Sequence, residues 1–151
     1  ADPSIGGDRS AFFTDQSSTQ IPDYYVGTLY HRSAADDNVI IFRLAEAWLI
    51  RAEARAKKQN PDIEGAISDI NTVRERSHVV PLDASLGQEA TIQAIEDENR
   101  VEFAIEPHRW FDLVRTGRAV AVLGIKEHQQ LFPIPYNDIE ADKDLVQNPN
   151  Y

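Results

Sequence analysis

Between residues 41 and 77 the apolar positions recur every three or four residues in two runs, with a single proline between them. In the first run Leu44, Ala45, Trp48, Leu49, Ala52 and Ala56 form one stripe, while Arg51, Arg55 and Lys58 lie off it, so an amphipathic helix is expected from residue 41 to near 59. Asn60-Pro61 then offers an N-cap followed by proline at a first helical position, which starts a second helix running to about residue 77. Its apolar residues Ile63, Ala66, Ile67, Ile70 and Val73 can face the first stripe across the tight turn, giving an antiparallel helix hairpin. Bulky Trp48 against small Ala52 and Ala66 resembles a tetratricopeptide hairpin of about 34 residues. A single hairpin cannot bury both of its apolar faces, so neighbouring hairpins are expected upstream of residue 1. The opening Ala1-Asp2-Pro3, without an initiator methionine, likewise reads as the interior of a longer protein.

Around the hairpin the signals are weaker. Residues 1–39 are rich in Gly, Ser, Asp and Pro with scattered aromatics and no helical period, which predicts loop and short-strand structure continuing from an upstream region. Residues 40–151 are expected to form the helical domain. Ser85 and Gln88 have the spacing of a capping box that opens a third helix carrying Ile92, Ile95, Val101, Phe103 and Ile105. Pro107 should break that helix at Glu106. A short helix over about 109–116 should end at Gly117. The tail beyond Phe132, with three prolines, is expected to be an extended coil docked through Leu145 and Tyr151. The fold class is therefore all-α with long irregular loops.

Charge and composition remove several function classes. A net charge of −10 repels a phosphate backbone or an anionic lipid surface, so no nucleic-acid partner is expected. The absence of cysteine excludes disulfides and thiolate chemistry. Apolar runs are far shorter than the roughly 20 residues of a spanning helix.

Side chains that carry chemistry cluster in one place. Glu98, Glu102 and Glu106 repeat at four-residue spacing, with His108 and Asp112 just beyond, a pattern open to a carboxylate metal site or an acid/base pair. Arg100, Arg109 and Arg115 stand close by, and guanidinium pairs with carboxylate bidentately, so the favoured reading is a structural ion-pair network that also includes Asp112. The Glu75 to His78 pair is a lone E-x-x-H, whereas a di-iron bundle needs two. Asp36-Asp37-Asn38 lacks the spaced ligands of a calcium loop and reads as a turn. No metal or cofactor is expected. For sugar binding, flat aromatic faces must be exposed near polar groups, and Tyr24, Tyr25 and Tyr30 are the best-placed candidates; packing against upstream structure is the favoured reading of all three.

Four stretches resemble the SusD/RagB family. Residues 40–54 carry Arg43-Leu44-Ala45-Glu46, then Trp48, then Ala52-Glu53-Ala54, similar to that family's RLAE helix with its aromatic and AEA tail. Ala66 with Asn71, Val73, Arg74 and Arg76 resembles its second helix. Glu98, Glu102, Phe103, Glu106, Arg109, Trp110, Phe111, Asp112, Leu113, Arg115 and Gly117 resemble its most specific block. Pro133-Ile134-Pro135 and the ending Gln147-Asn148-Pro149-Asn150-Tyr151 are similar to its PIP and QNPGY motifs, and Asp8-Arg9 is a weaker match. Pro107 departs from the usual Gly, Asn99 from Arg and Asn150 from Gly; Asn still tolerates positive φ.

The resemblance implies a surface lipoprotein, lipid-anchored at the outer membrane of Bacteroidetes, that captures oligosaccharides such as starch fragments, or another nutrient, for a SusC-like TonB-dependent transporter. It implies binding without catalysis. A helical-repeat adaptor that binds a protein or peptide is the second reading, and a metal-assisted hydrolase using the glutamate face and His108 is the third.

Overall fold

A computed structural model describes residues 3–29 and 38–151. The described chain is mostly helical, with one short two-stranded sheet, and divides into two compact units, Ala1–Glu106 and Pro107–Tyr151.

The first unit opens with helix α1 (Pro3–Gly6), a 3-10 turn (Gly7–Phe12) and a hairpin of β1 (Phe13–Asp15) and β2 (Tyr25–Gly27). The strands pair antiparallel, Phe13 opposite Gly27 and Asp15 opposite Tyr25. Two long helices follow, α2 (Leu44–Lys57) and α3 (Ile63–Arg76). Their antiparallel sense is visible in the bonds from Arg51 to Asp69 and from Arg55 to the Gly65 carbonyl. Glu46 in the first turn of α2 and Arg55 and Lys57 in its last match the helix dipole.

The N-cap of α3 is Asp62 rather than Asn60: its carboxylate accepts the Gly65 amide at 3.0 Å, and its own amide is held by the Arg55 carbonyl. Helix α4 (Gln88–Glu102) starts at Gly87 without the expected capping box. The two side chains or amides that would form it are engaged elsewhere, the Ser85 amide with Asp83 and Gln88 Nε2 with the Ala56 carbonyl. Those bonds from Ser85, backbone first, hold the exposed Asp83 carboxyl below its ordinary pKa.

The three helices enclose Ala45, Leu49, Ala52, Ala56, Ala66, Ile70, Val73, Ile95 and Phe103. Alanines at 52, 56 and 66, all fully buried, let the α2 and α3 backbones approach, while Leu49 and Ile70 fill the seam. Each large side chain so buried contributes about 1.5–3 kcal/mol. Leu44, expected on this stripe, is 73% exposed; it opens α2 on the opposite face. Helix α4 ends four residues before Glu106. Phe103 is buried and caps the helix, donating its amide to the Asn99 carbonyl, and the turn that follows carries Glu106 back beside it before Pro107 is reached.

The second unit contains α5 (Arg109–Arg115), α6 (Ala119–Leu123), a 3-10 turn (Glu127–Gln130) and α7 (Tyr136–Ala141). Gly117 terminates α5 at φ +69°, as its spacing predicts. The tail docks by hydrogen bonds rather than by filling pockets. Gln147 both accepts the Ile134 amide and donates to the Ile134 carbonyl, Asn148 donates to the Phe132 carbonyl, and the Tyr151 hydroxyl donates to the Leu131 carbonyl. Leu145 and Tyr151 stay 38% and 49% exposed. Asn150 takes φ +68°, the left-handed conformation that Asn tolerates.

Candidate functional site

The first unit holds a buried cluster of charge. Glu98 and Glu102 lie one turn apart on α4, and Glu106 follows in the turn; all three are at least nine-tenths buried. Such carboxylates require partners. Arg9, itself 6% exposed, donates Nη2 to Glu98 and Nε to Glu102 at 2.7 Å. Arg43, at the N-cap of α2, bonds Glu102 and makes 2.8–3.1 Å contacts with both oxygens of Glu106, with its guanidinium 4.3 Å over the Phe103 ring. Arg74 reaches Glu98 at 2.9 Å, and Arg76 reaches Glu102. Burial alone would lower the Arg43 pKa, but the bonds to Glu106 and Glu102 outweigh it and raise it above the ordinary arginine value.

Arg100 is exposed at the last turn of α4, while Arg109 and Arg115 belong to the second unit, where Arg115 pairs with Asp112 at 3.1 Å. Among the described residues no group of three or more His, Cys, Asp or Glu is arranged to hold a metal ion. Guanidinium groups engage the glutamate oxygens instead. His78 of the E-x-x-H pair sits at φ +53° and contacts Asp8 at 2.6 Å on the surface, and His108 precedes α5 in the other unit.

Beside the cluster lies a cleft of about 360 Å³ with a mixed lining: Phe12, Leu29, Ile40 and Ile105 supply apolar walls, and Arg43 and Glu106 supply charge. The aromatic candidates are on the neighbouring hairpin. Tyr25 opens β2 and Tyr24 precedes it, its amide held by Ser17 Oγ; both are about half exposed. Tyr30 lies outside the described residues, as do Asp36 and Asp37. Trp48 is half-buried under the Arg51 guanidinium, and Trp110 packs on Phe132.

The family model described as "SusD family" matches residues 13–130, more than half of the chain. The chain belongs to the SusD family. The starch-binding protein SusD of Bacteroides thetaiotaomicron is 33% identical over 80% of this SusD-family chain, and a SusD-like protein of Formosa agariphila is 30% identical over 81%. These matches span only 23% and 27% of those relatives. Two solved structures have the same fold: a SusD-like protein of Bacteroides fragilis (TM-score 0.63, 29% identity, 76% of this chain and 26% of that one) and a SusD superfamily protein of Parabacteroides distasonis (TM-score 0.74, 20% identity, all of this chain and 41% of that one).

Within this SusD-family chain, Arg43, Arg74 and Arg76 are arginines of the recognised motifs, and the structure gives each a carboxylate to hold. Arg9 is the partner that spacing does not reveal, since it lies 93 residues from Glu102.

Proposed function

We propose that this chain is part of a non-catalytic subunit that binds oligosaccharides at the cell outer membrane and passes them to a SusC-like TonB-dependent transporter. The observation that carries this reading is membership of the SusD family together with 33% identity to a starch-binding member. Lipid anchoring and the transporter partnership come to it as properties of that family. The chemistry of the charged cluster supports binding over hydrolysis: a catalytic carboxylate must reach a substrate proton, whereas Glu98 and Glu102 are nearly inaccessible and bonded to arginine. Arginine on carboxylate here serves architecture, fixing the segment that carries the tyrosines against α4.

Tyr24 and Tyr25 are the proposed sugar-stacking faces, with Tyr30 as a third. An aromatic stack contributes about 0.5–1.5 kcal/mol, so Tyr24→Ala and Tyr25→Ala should each weaken an oligosaccharide by roughly threefold to tenfold. Calorimetric titration of the protein as its gene encodes it reads this directly. Unchanged affinity in both variants would move the sugar site off the hairpin.

A further inference from the structure

Arg9 has one donor group that the charged cluster does not use. Its Nε and Nη2 are taken by Glu102 and Glu98, whereas Nη1, equally buried, has no hydrogen-bond partner among the described residues. A buried N–H group left unmatched carries a desolvation penalty, so an acceptor is expected beside it. Two cavities adjoin Arg9. The larger is the cleft already described, which has Asp8, Glu102 and Glu106 in its lining. The smaller, of about 230 Å³, lies between the N-terminal turn and α4, and its described lining contains no carboxylate. Arg9, Ser10 and Arg100 are its polar residues, and Ile5, Phe13 and Val101 supply apolar walls. The Arg100 guanidinium is exposed and has no ion-pair partner among the described residues. Within the cluster Arg9, Arg43 and Arg74 balance Glu98, Glu102 and Glu106 one for one, so Arg100 brings positive charge that those glutamates do not already neutralise.

We propose that this smaller pocket is an anion site for a small organic carboxylate with an apolar body. A carboxylate offers two acceptor oxygens, which suit the free donor of Arg9 and the unpaired guanidinium of Arg100. Its apolar body would lose water against Ile5, Phe13 and Val101. Pockets for drug-sized ligands run from about 300 to 1,000 Å³, so this one takes a body of only a few carbons. Neither Tyr24 nor Tyr25 is in its lining, and the site is therefore independent of sugar stacking on the hairpin.

Butyrate is the probe, with butyramide as its uncharged counterpart of similar shape and inorganic phosphate as an anion without an apolar body. Calorimetric titration into the protein as its gene encodes it, at constant ionic strength, should give saturable heat with butyrate and at least about tenfold weaker binding of the other two. Arg100→Gln, at an exposed position, should weaken butyrate about twofold to fivefold. Gly6→Leu tests the cavity itself. Gly6 lines the pocket at φ −92°, and a Cβ there would meet nothing within 4 Å, so the larger side chain should occupy the space and abolish the heat. No saturable heat with butyrate, equal affinity for butyramide or phosphate, or wild-type affinity in either variant would each overturn the assignment.

Discussion

Glu102→Ala is expected to destabilise the protein by about 3–5 kcal/mol, because truncating one member of a buried ion pair strands the other. The Glu102 carboxylate is 1% exposed and accepts from Arg9, Arg43 and Arg76. Without it the buried Arg9 keeps only Glu98, and Arg43 keeps Glu106. Arg76 provides the internal comparison. Its side chain is 58% exposed, so Arg76→Ala should cost only about 0–1 kcal/mol although it contacts the same carboxylate. Urea denaturation of the two variants tests the contrast: near-equal midpoints would mean that the cluster does not hold the first unit together.

Gly7→Ala should cost about 2–6 kcal/mol through a different mechanism. Gly7 sits at φ +54°, and a Cβ there would lie 1.9 Å from the Ser77 carbonyl oxygen and 2.6 Å from Val79 Cγ2. Left-handed backbone strain adds about 1–3 kcal/mol and overpacking about 1–3. The neighbouring Asp8 amide donates to that same Ser77 carbonyl, so the substitution should lift the 3-10 turn, with Arg9, from the end of α3. Hydrogen exchange should accelerate in residues 8–29 while the α2–α3 seam keeps its protection. Uniform acceleration across both regions would show that the N-terminal segment and the helices unfold as one unit.

The helix hairpin was legible in the sequence because its signal is local: period, proline and small residues all fall within residues 41–77. What was less legible depended on competition. Ser85 and Gln88 have capping-box spacing, yet Asp83 engages the Ser85 amide and Ala56 draws Gln88 away. Pro107 marks the latest point at which α4 can end, but the buried Phe103 ends it earlier. Leu44 fits the inner stripe by spacing, although the two apolar faces of α2 make that assignment ambiguous without coordinates.

The charged cluster was half readable. Four-residue spacing brings out the glutamates, and the motif arginines at 43, 74 and 76 stand in recognised segments, but their pairing is tertiary. Arg9 had only the short Asp8-Arg9 signal, and no periodicity links it to a glutamate 93 residues on. In the tail, Pro and Asn advertise irregular structure, but not that Gln147 would satisfy both backbone groups of Ile134.

Binding without chemistry is the central claim, and one experiment reads both halves of it. Oligosaccharides, including starch fragments, are titrated calorimetrically into the protein as its gene encodes it, and the same samples are assayed for newly formed reducing ends. Saturable heat with no new reducing ends is the predicted result. Reducing ends that accumulate with the wild-type protein and vanish in Glu102→Gln, or the absence of heat with every sugar, would contradict it.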